Sequence, residues 1–240
     1  MLFRSGSVTA SGTYSASGTP VITGTHSGGV KEKEVPEVDA DDYRSWADYV
    51  LTTDGRITNL AGTTTYCNTN NGANQTACRT TYGWRFNGAW DLDYNNPSTG
   101  EGVYFAEGTG TVTISGSPGS ALSPRKMSLI SRGSIEVSGS PHIAPSNAEV
   151  LFVAEGDFKG SGNFQVHANS TLGINEGQIL VHEQIQLSGT LVILGQIIVE
   201  DAATTSTLVT TSSIGGSTTL INKGDVGASV FHLAGWRQVR

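Results

Sequence analysis

Four charged side chains recur at one place in a repeating sequence: Glu107, Arg132, Glu155 and Glu183, each closing a short apolar run. Stacked coils of extended chain lie about 4.8 Å apart, so residues sharing such a column are near enough to pair. With Asp157 and His182 beside them, these groups are what an acid–base enzyme acting on polysaccharide would use: Glu155 or Glu183 set against Asp157 or His182 in one groove. Arg132 between Glu107 and Glu155 supports a plainer role, a charge ladder in which each group neutralises the next. Paired glycosidase carboxylates need separated roles, which a ladder does not give them.

A second set of oxygens lies in WDLDYNNPSTGE. Asp91, Asp93 and Asn95 are spaced like the start of a calcium loop, in which alternate oxygens wrap a hard cation, with Glu101 as a further ligand. The pattern then departs, because Asn96 stands where the turn glycine belongs and Gly102 where the bidentate glutamate belongs; an ordinary turn before Pro97 uses the same residues. Cys67 and Cys78 are the only cysteines. They flank a polar, Asn-rich stretch with no neighbouring histidine, which suits a disulfide better than zinc and points to an oxidising compartment. His26, His142, His167, His182 and His232 show no metal-ligand spacing. His182-Glu183 begins like a zinc-protease helix, but Gln186 replaces the second histidine. Asn74-Gln75-Thr76 is a glycosylation sequon, which matters only where the machinery exists.

The elements that must position these groups follow from a repeat. Ser-Gly recurs at Ser115-Gly116, Ser138-Gly139, Ser161-Gly162 and Ser188-Gly189, at intervals of 23, 23 and 27 residues. Each unit reads as strand, corner, strand, corner, with Gly, Asn, Ser and Pro at the bends. One unit cannot bury its own apolar face, whereas stacked units turn Phe105, Leu129, Phe152 and Leu180, or their neighbours, into interior ladders. The expected fold is all-β, a right-handed parallel β-helix with an inserted helix and a disulfide-closed loop. Unequal unit lengths favour the right hand, because left-handed hexapeptide coils tolerate little variation.

Three regions follow. Residues 1–30, paced by Gly6, Gly12, Gly18 and Gly24, read as first coils. Residues 31–100 read as an insertion: a charged connector over 31–36, an amphipathic helix over 39–51 carrying Tyr43, Trp46, Ala47 and Val50, and the cysteine loop. Residues 101–240 read as the main coils and a C-terminal cap. The opening has no capping element, so something that covers or continues the first coil is expected to precede it.

Composition restricts function. With 31 Gly and 15% charged residues in 240, the chain suits strands and corners rather than helices. A net charge of -7 with 14 scattered basic residues argues against nucleic acid. No apolar run is long enough to span a bilayer. Thr111-Val112-Thr113 and the run 204–207 would present spaced hydroxyls to carbohydrate, mineral or another subunit, or serve as ordinary outward strand residues.

The stretches GVYFAEGTGTVTISGSPGSALSPRKMSLISRGSIEVSGSPHI, EVLFVAEGDFKGSGNF and GQILVHEQIQLSGTLVILGQIIVEDA resemble the extracellular part of bacterial PilX-like, type IV pilus-associated assembly proteins. VPEVDADDYRSWADYVLTTDG, the Gly-paced opening and the ending AGWRQVR resemble it too. The likeness covers most of the chain and is weakest in the Cys67 to Cys78 loop. It implies a bacterial, extracellular or cell-surface protein whose partners are pilus or surface proteins, with polysaccharide as a further candidate. Full-length members resemble minor pilins in beginning with an apolar helix that enters the membrane or pilus core, a segment this sequence lacks. The function expected is thus a non-catalytic structural or adhesive module; the alternative is a carbohydrate-active β-helix enzyme using Glu155, Asp157, His182 and Glu183.

Overall fold

A computed structural model describes residues 37–68, 72–96, 99–174, 176–202 and 205–221, together with the backbone of Val8–Ala10 and His26–Gly28. The described chain is a parallel β-solenoid. Five strands build its first face: Gly102–Ala106, Arg125–Ser131, Val150–Ala154, Gly177–Val181 and the second half of Val192–Val199. A narrower second face stacks Val112–Ile114, Ile135–Val137, Phe158–Gly160, Ile185–Leu187 and Ser213–Ile214. The third face stacks the start of Arg125–Ser131 on His142–Ala144, Gln165–Val166, the start of Val192–Val199 and Thr219–Ile221.

The first-face strands are apolar almost throughout because both of their faces are buried, as in sheets covered on both sides. Register places Tyr104, Leu129, Phe152, Ile179 and Ile197 in one column. This is the interior column, where Phe152 packs on Phe158 and Phe164. The neighbouring column, Phe105, Ile130, Val153 and Leu180, points outward, and yet none of its members exceeds 5% exposure. A strap over 38–47 covers it with Val38, Ala40, Tyr43 and Ala47. The expected interior ladder therefore mixes two columns: Leu129 and Phe152 are inside, whereas Phe105 and Leu180 lie one residue out of phase. Successive side chains alternate faces, and two apolar faces hide the phase from the sequence.

The Ser-Gly corners keep the stack in step. Gly139, Gly162, Gly189 and Gly216 all have φ between 69° and 92°. A Cβ at Gly139 would lie 2.7 Å from the carbonyl oxygen of Gly116, and one at each later glycine would meet the glycine oxygen of the coil before it. Left-handed backbone and carbonyl contact together require glycine here. The column continues one unit past the four Ser-Gly pairs, to Gly216.

Residues 48–100 pack on the first of the described main coils. Tyr49–Leu51 pairs in parallel with Gly102–Ala106, then turns back through the antiparallel strands Arg56–Asn59 and Thr64–Tyr66. Trp84–Phe86 and Trp90–Leu92 form a hairpin on the end of the second face. Trp84, Phe86, Trp90 and Tyr104 cluster beneath it with ring centroids 5.1 to 6.3 Å apart. Arg125, buried at the seam, donates to the carbonyls of Tyr82 at 2.7 Å and Gly100 at 2.8 Å. Cys67 and Cys78 form a disulfide, with Cα atoms 5.3 Å apart.

Two local expectations are corrected. The helix read over 39–51 is a 3-10 helix, Ala40–Trp46, capped by the Asp39 carboxylate on the Asp41 N–H at 2.8 Å. Beyond it Tyr49–Leu51 leaves for the sheet, where each residue has a strand partner on both sides and Leu51 is buried, which outweighs helical spacing. Conversely, the Asn-rich stretch read as a loop is largely the α-helix Gly72–Tyr82, which includes the sequon and buries only Cys78. Val8–Ala10 pairs in parallel with His26–Gly28, eighteen residues away, which is three of the six-residue units. The glycine pulse itself, the 31–36 connector and the C-terminal cap lie outside the described residues. No helix among the described residues is long and apolar enough to cross a membrane.

Candidate functional site

The corner from first to second face carries the charged column. The backbone N–H groups of Arg132, Glu155, His182 and Glu200 donate to Ala106, Ser131, Ala154 and Val181 in the preceding coils, at 2.9 to 3.2 Å. Glu107, Arg132, Glu155, His182 and Glu200 are therefore in register. Glu183 belongs to the next column, its N–H on Gly156, so the ladder expected from Glu107 to Glu183 is correct only as far as Glu155. Counting from the apolar residues Leu180-Val181 against Val153-Ala154, rather than matching glutamates, places His182 under Glu155.

The column's charges are spent mainly on the strap. Arg132 grips Asp41 with two bonds, Nε to Oδ1 at 2.9 Å and Nη2 to Oδ2 at 2.8 Å, and Arg44 pairs with Glu107 at 2.5 Å. Both guanidiniums also lie over the Phe105 ring, Arg44 at 4.7 Å and Arg132 at 5.6 Å from its centroid. Glu200 accepts from the Val38 N–H through one oxygen and pairs with His182 Nδ1 through the other. Burial, then Asp39 and Asp41, push the Glu155 carboxyl up, with Arg132 and His182 pulling against them. Sequence reading missed Asp41, Arg44 and Glu200, since nothing local marks a contact between residues 91 positions apart.

Asp157 and Glu183 are held differently. Asp157 is fully buried and accepts from the backbone N–H groups of Gln184 at 3.1 Å and Val209 at 2.8 Å. Glu183, 2% exposed, accepts from the N–H groups of Thr205 at 2.6 Å and Ser206 at 3.0 Å and from the Thr205 hydroxyl at 2.5 Å. These carboxylates tie the long excursion after Val199 back to the coils. Of the four residues proposed for catalysis, then, two cage backbone amides, and Glu155 and His182 are half-buried at the solvent edge, His182 paired to Glu200.

The oxygens in WDLDYNNPSTGE meet cationic or donor groups of the chain itself. Asp91 accepts from Arg85 at 2.8 Å and from the Ser115 hydroxyl at 2.7 Å; Asp93 pairs with Arg79 at 2.9 Å and Arg85 at 3.2 Å. Asn95 accepts from the Ser117 N–H at 2.6 Å. Glu101 lines a separate groove. Among the described residues no group of three or more His, Cys, Asp or Glu side chains is placed to share a metal ion. His142 Nδ1 and His167 Nε2 are 2.9 Å apart on neighbouring coils, and burial, then His142, push the His167 pKa down. On the second face Thr113 stacks between Asp91 and Glu136, while Thr204 lies outside the described residues.

The groove is an open cavity of about 570 Å³ along the edge where the third face turns into the first. Tyr49 and Gly102 form its floor, and its walls are the hairpin turn at Leu60 and the turn at Leu172, both exposed. Tyr49 is stacked on Tyr104 at 4.9 Å and edge-on to Tyr82 at 5.4 Å, so its ring is fixed from below. Comparison of the chain with known families, curated proteins and solved structures finds no match.

Proposed function

We propose that this chain is a non-catalytic structural or adhesive module, displayed outside the bacterial cell by a type IV pilus-like assembly. The observation that supports the non-catalytic half is the commitment of Asp157 and Glu183 to backbone amides, which takes two of the four candidate groups out of acid–base work. A general acid or base must reach the proton it moves, and a carboxylate already accepting two or three bonds inside the protein does not. The disulfide supports an oxidising compartment. The solenoid supplies long, rigid, polar faces suited to contact. The display half rests on the resemblance of the repeats to PilX-like proteins.

Immunogold labelling of filaments sheared from the encoding bacterium tests display. Label along or at the tips of filaments is the expected result; label confined to the cell interior overturns it. Incubating the purified chain with polysaccharides and assaying reducing or unsaturated sugar ends tests the other half. Product that disappears in Glu155→Gln would overturn the non-catalytic reading.

A further inference from the structure

The groove on the third-to-first-face edge combines a fixed aromatic floor with hydrogen-bonding groups that the fold leaves free. Glu101 and Lys126 stand at the same place on successive coils, since Gly102 is in register with Met127. The Glu101 carboxylate has no hydrogen-bond or ion-pair partner among the described residues. Lys126 spends one of its three ammonium hydrogens on the Thr171 hydroxyl at 3.1 Å. Asn59 accepts from the Thr63 N–H through Oδ1, leaving its amide hydrogens to donate, and Asp48 uses only Oδ2, on the Val103 N–H at 2.8 Å. Along the stack the groups run Asn59, Asp48, Glu101, Lys126, two acceptors between two donors, on an axis whose rungs repeat every coil, about 4.8 Å, comparable to the length of one sugar ring.

We propose that this groove binds a linear saccharide lying along the solenoid axis, neutral or amine-bearing rather than acidic. Hydroxyls both donate and accept, so they match a lining that offers both; a peptide strand would instead need an open sheet edge, and the groove presents side chains. The volume falls in the range of small-ligand sites, of the order of 300 to 1,000 Å³. Among the groove's own side chains Asp48 and Glu101 face Lys126, with the buried Arg125 behind Glu101; the local charges balance, and the net charge of -7 on the whole chain disfavours a uronate or sulfated chain. The inference deepens the adhesive reading above and rests on it.

The test is calorimetric titration of the whole chain with cellotetraose, chitosan tetramer and tetragalacturonate. Binding of the neutral or the amino tetramer is expected, with the galacturonate silent. Glu101→Gln and Lys126→Met should each weaken binding about tenfold or more with an unchanged circular dichroism spectrum and melting temperature, since each removes a charged hydrogen-bonding group. Leu172→Glu, at an exposed turn, blocks the same end without touching the core, whereas Gln186→Ala on the second face changes nothing. Absence of binding to all three probes, preference for the galacturonate, or equal affinity in the groove variants overturns the proposal. Filament labelling is independent: a displayed chain that binds no tetramer fails only here, and a tetramer-binding chain found only inside cells fails only the display reading.

Discussion

Gln184 and Val209, residues from two later excursions of the chain, each direct a backbone N–H at Asp157. Asp157→Ala leaves both donors buried without acceptors, and is expected to cost about 2–4 kcal/mol of unfolding free energy in urea titrations; Asp157→Asn, which keeps one acceptor, should cost less. Glycine supplies a paired comparison. Gly162 and Gly173 have φ of 78° and 69°, but a Cβ at Gly162 would strike Gly139 whereas one at Gly173 meets open space. Gly173→Ala should lower stability by about 1–2 kcal/mol, the backbone cost alone, and Gly162→Ala by clearly more. Glu155 binds its proton more tightly folded than unfolded, so its contribution is complete below the ordinary glutamate range and is lost as pH rises through the raised folded value. Glu155→Gln should match the parent at about pH 3 and exceed it slightly at about pH 7, as read from urea midpoints.

The strap and the disulfide-closed helix show which elements the sequence revealed and which it hid. The repeats were legible because a corner that admits only glycine leaves a mark at fixed intervals, and the cysteine pair was legible because nothing else near it could bind a metal. The strap's helix was read too long because Tyr43, Ala47 and Val50 have helical spacing, whereas in the fold it ends at Trp46, Tyr43 and Ala47 cover Phe105, Ile130 and Val153, and Val50 sits in a strand. The helix Gly72–Tyr82 was missed because it has almost no apolar stripe: its position is set by Cys67 rather than by burial. The bond should therefore matter most there. Reduction, or serine at both positions, is expected to remove about 2–3 kcal/mol and lower the melting temperature, with loss of helical ellipticity preceding loss of sheet.

At the scale of the molecule, the three edges of the solenoid differ in what they allow. The link from second to third face is four residues long in four successive coils, at 138–141, 161–164, 188–191 and 215–218. The other two links vary: first to second runs from the three residues 155–157 to the thirteen of 200–212, and third to first from none, where Arg125–Ser131 and Val192–Val199 pass directly from one face to the other, to the ten of 167–176. The first coil's link from second to third face, 115–124, is longer; from the next coil on, differences in length fall on the other two edges, one of which carries the strap's ion pairs and the other the groove. A corner whose glycines touch the oxygens of the coil before has no room for an extra residue, so it acts as the spine of a bound book. Every page is fastened there, and whatever differs between relatives of this chain should be written on the two free margins.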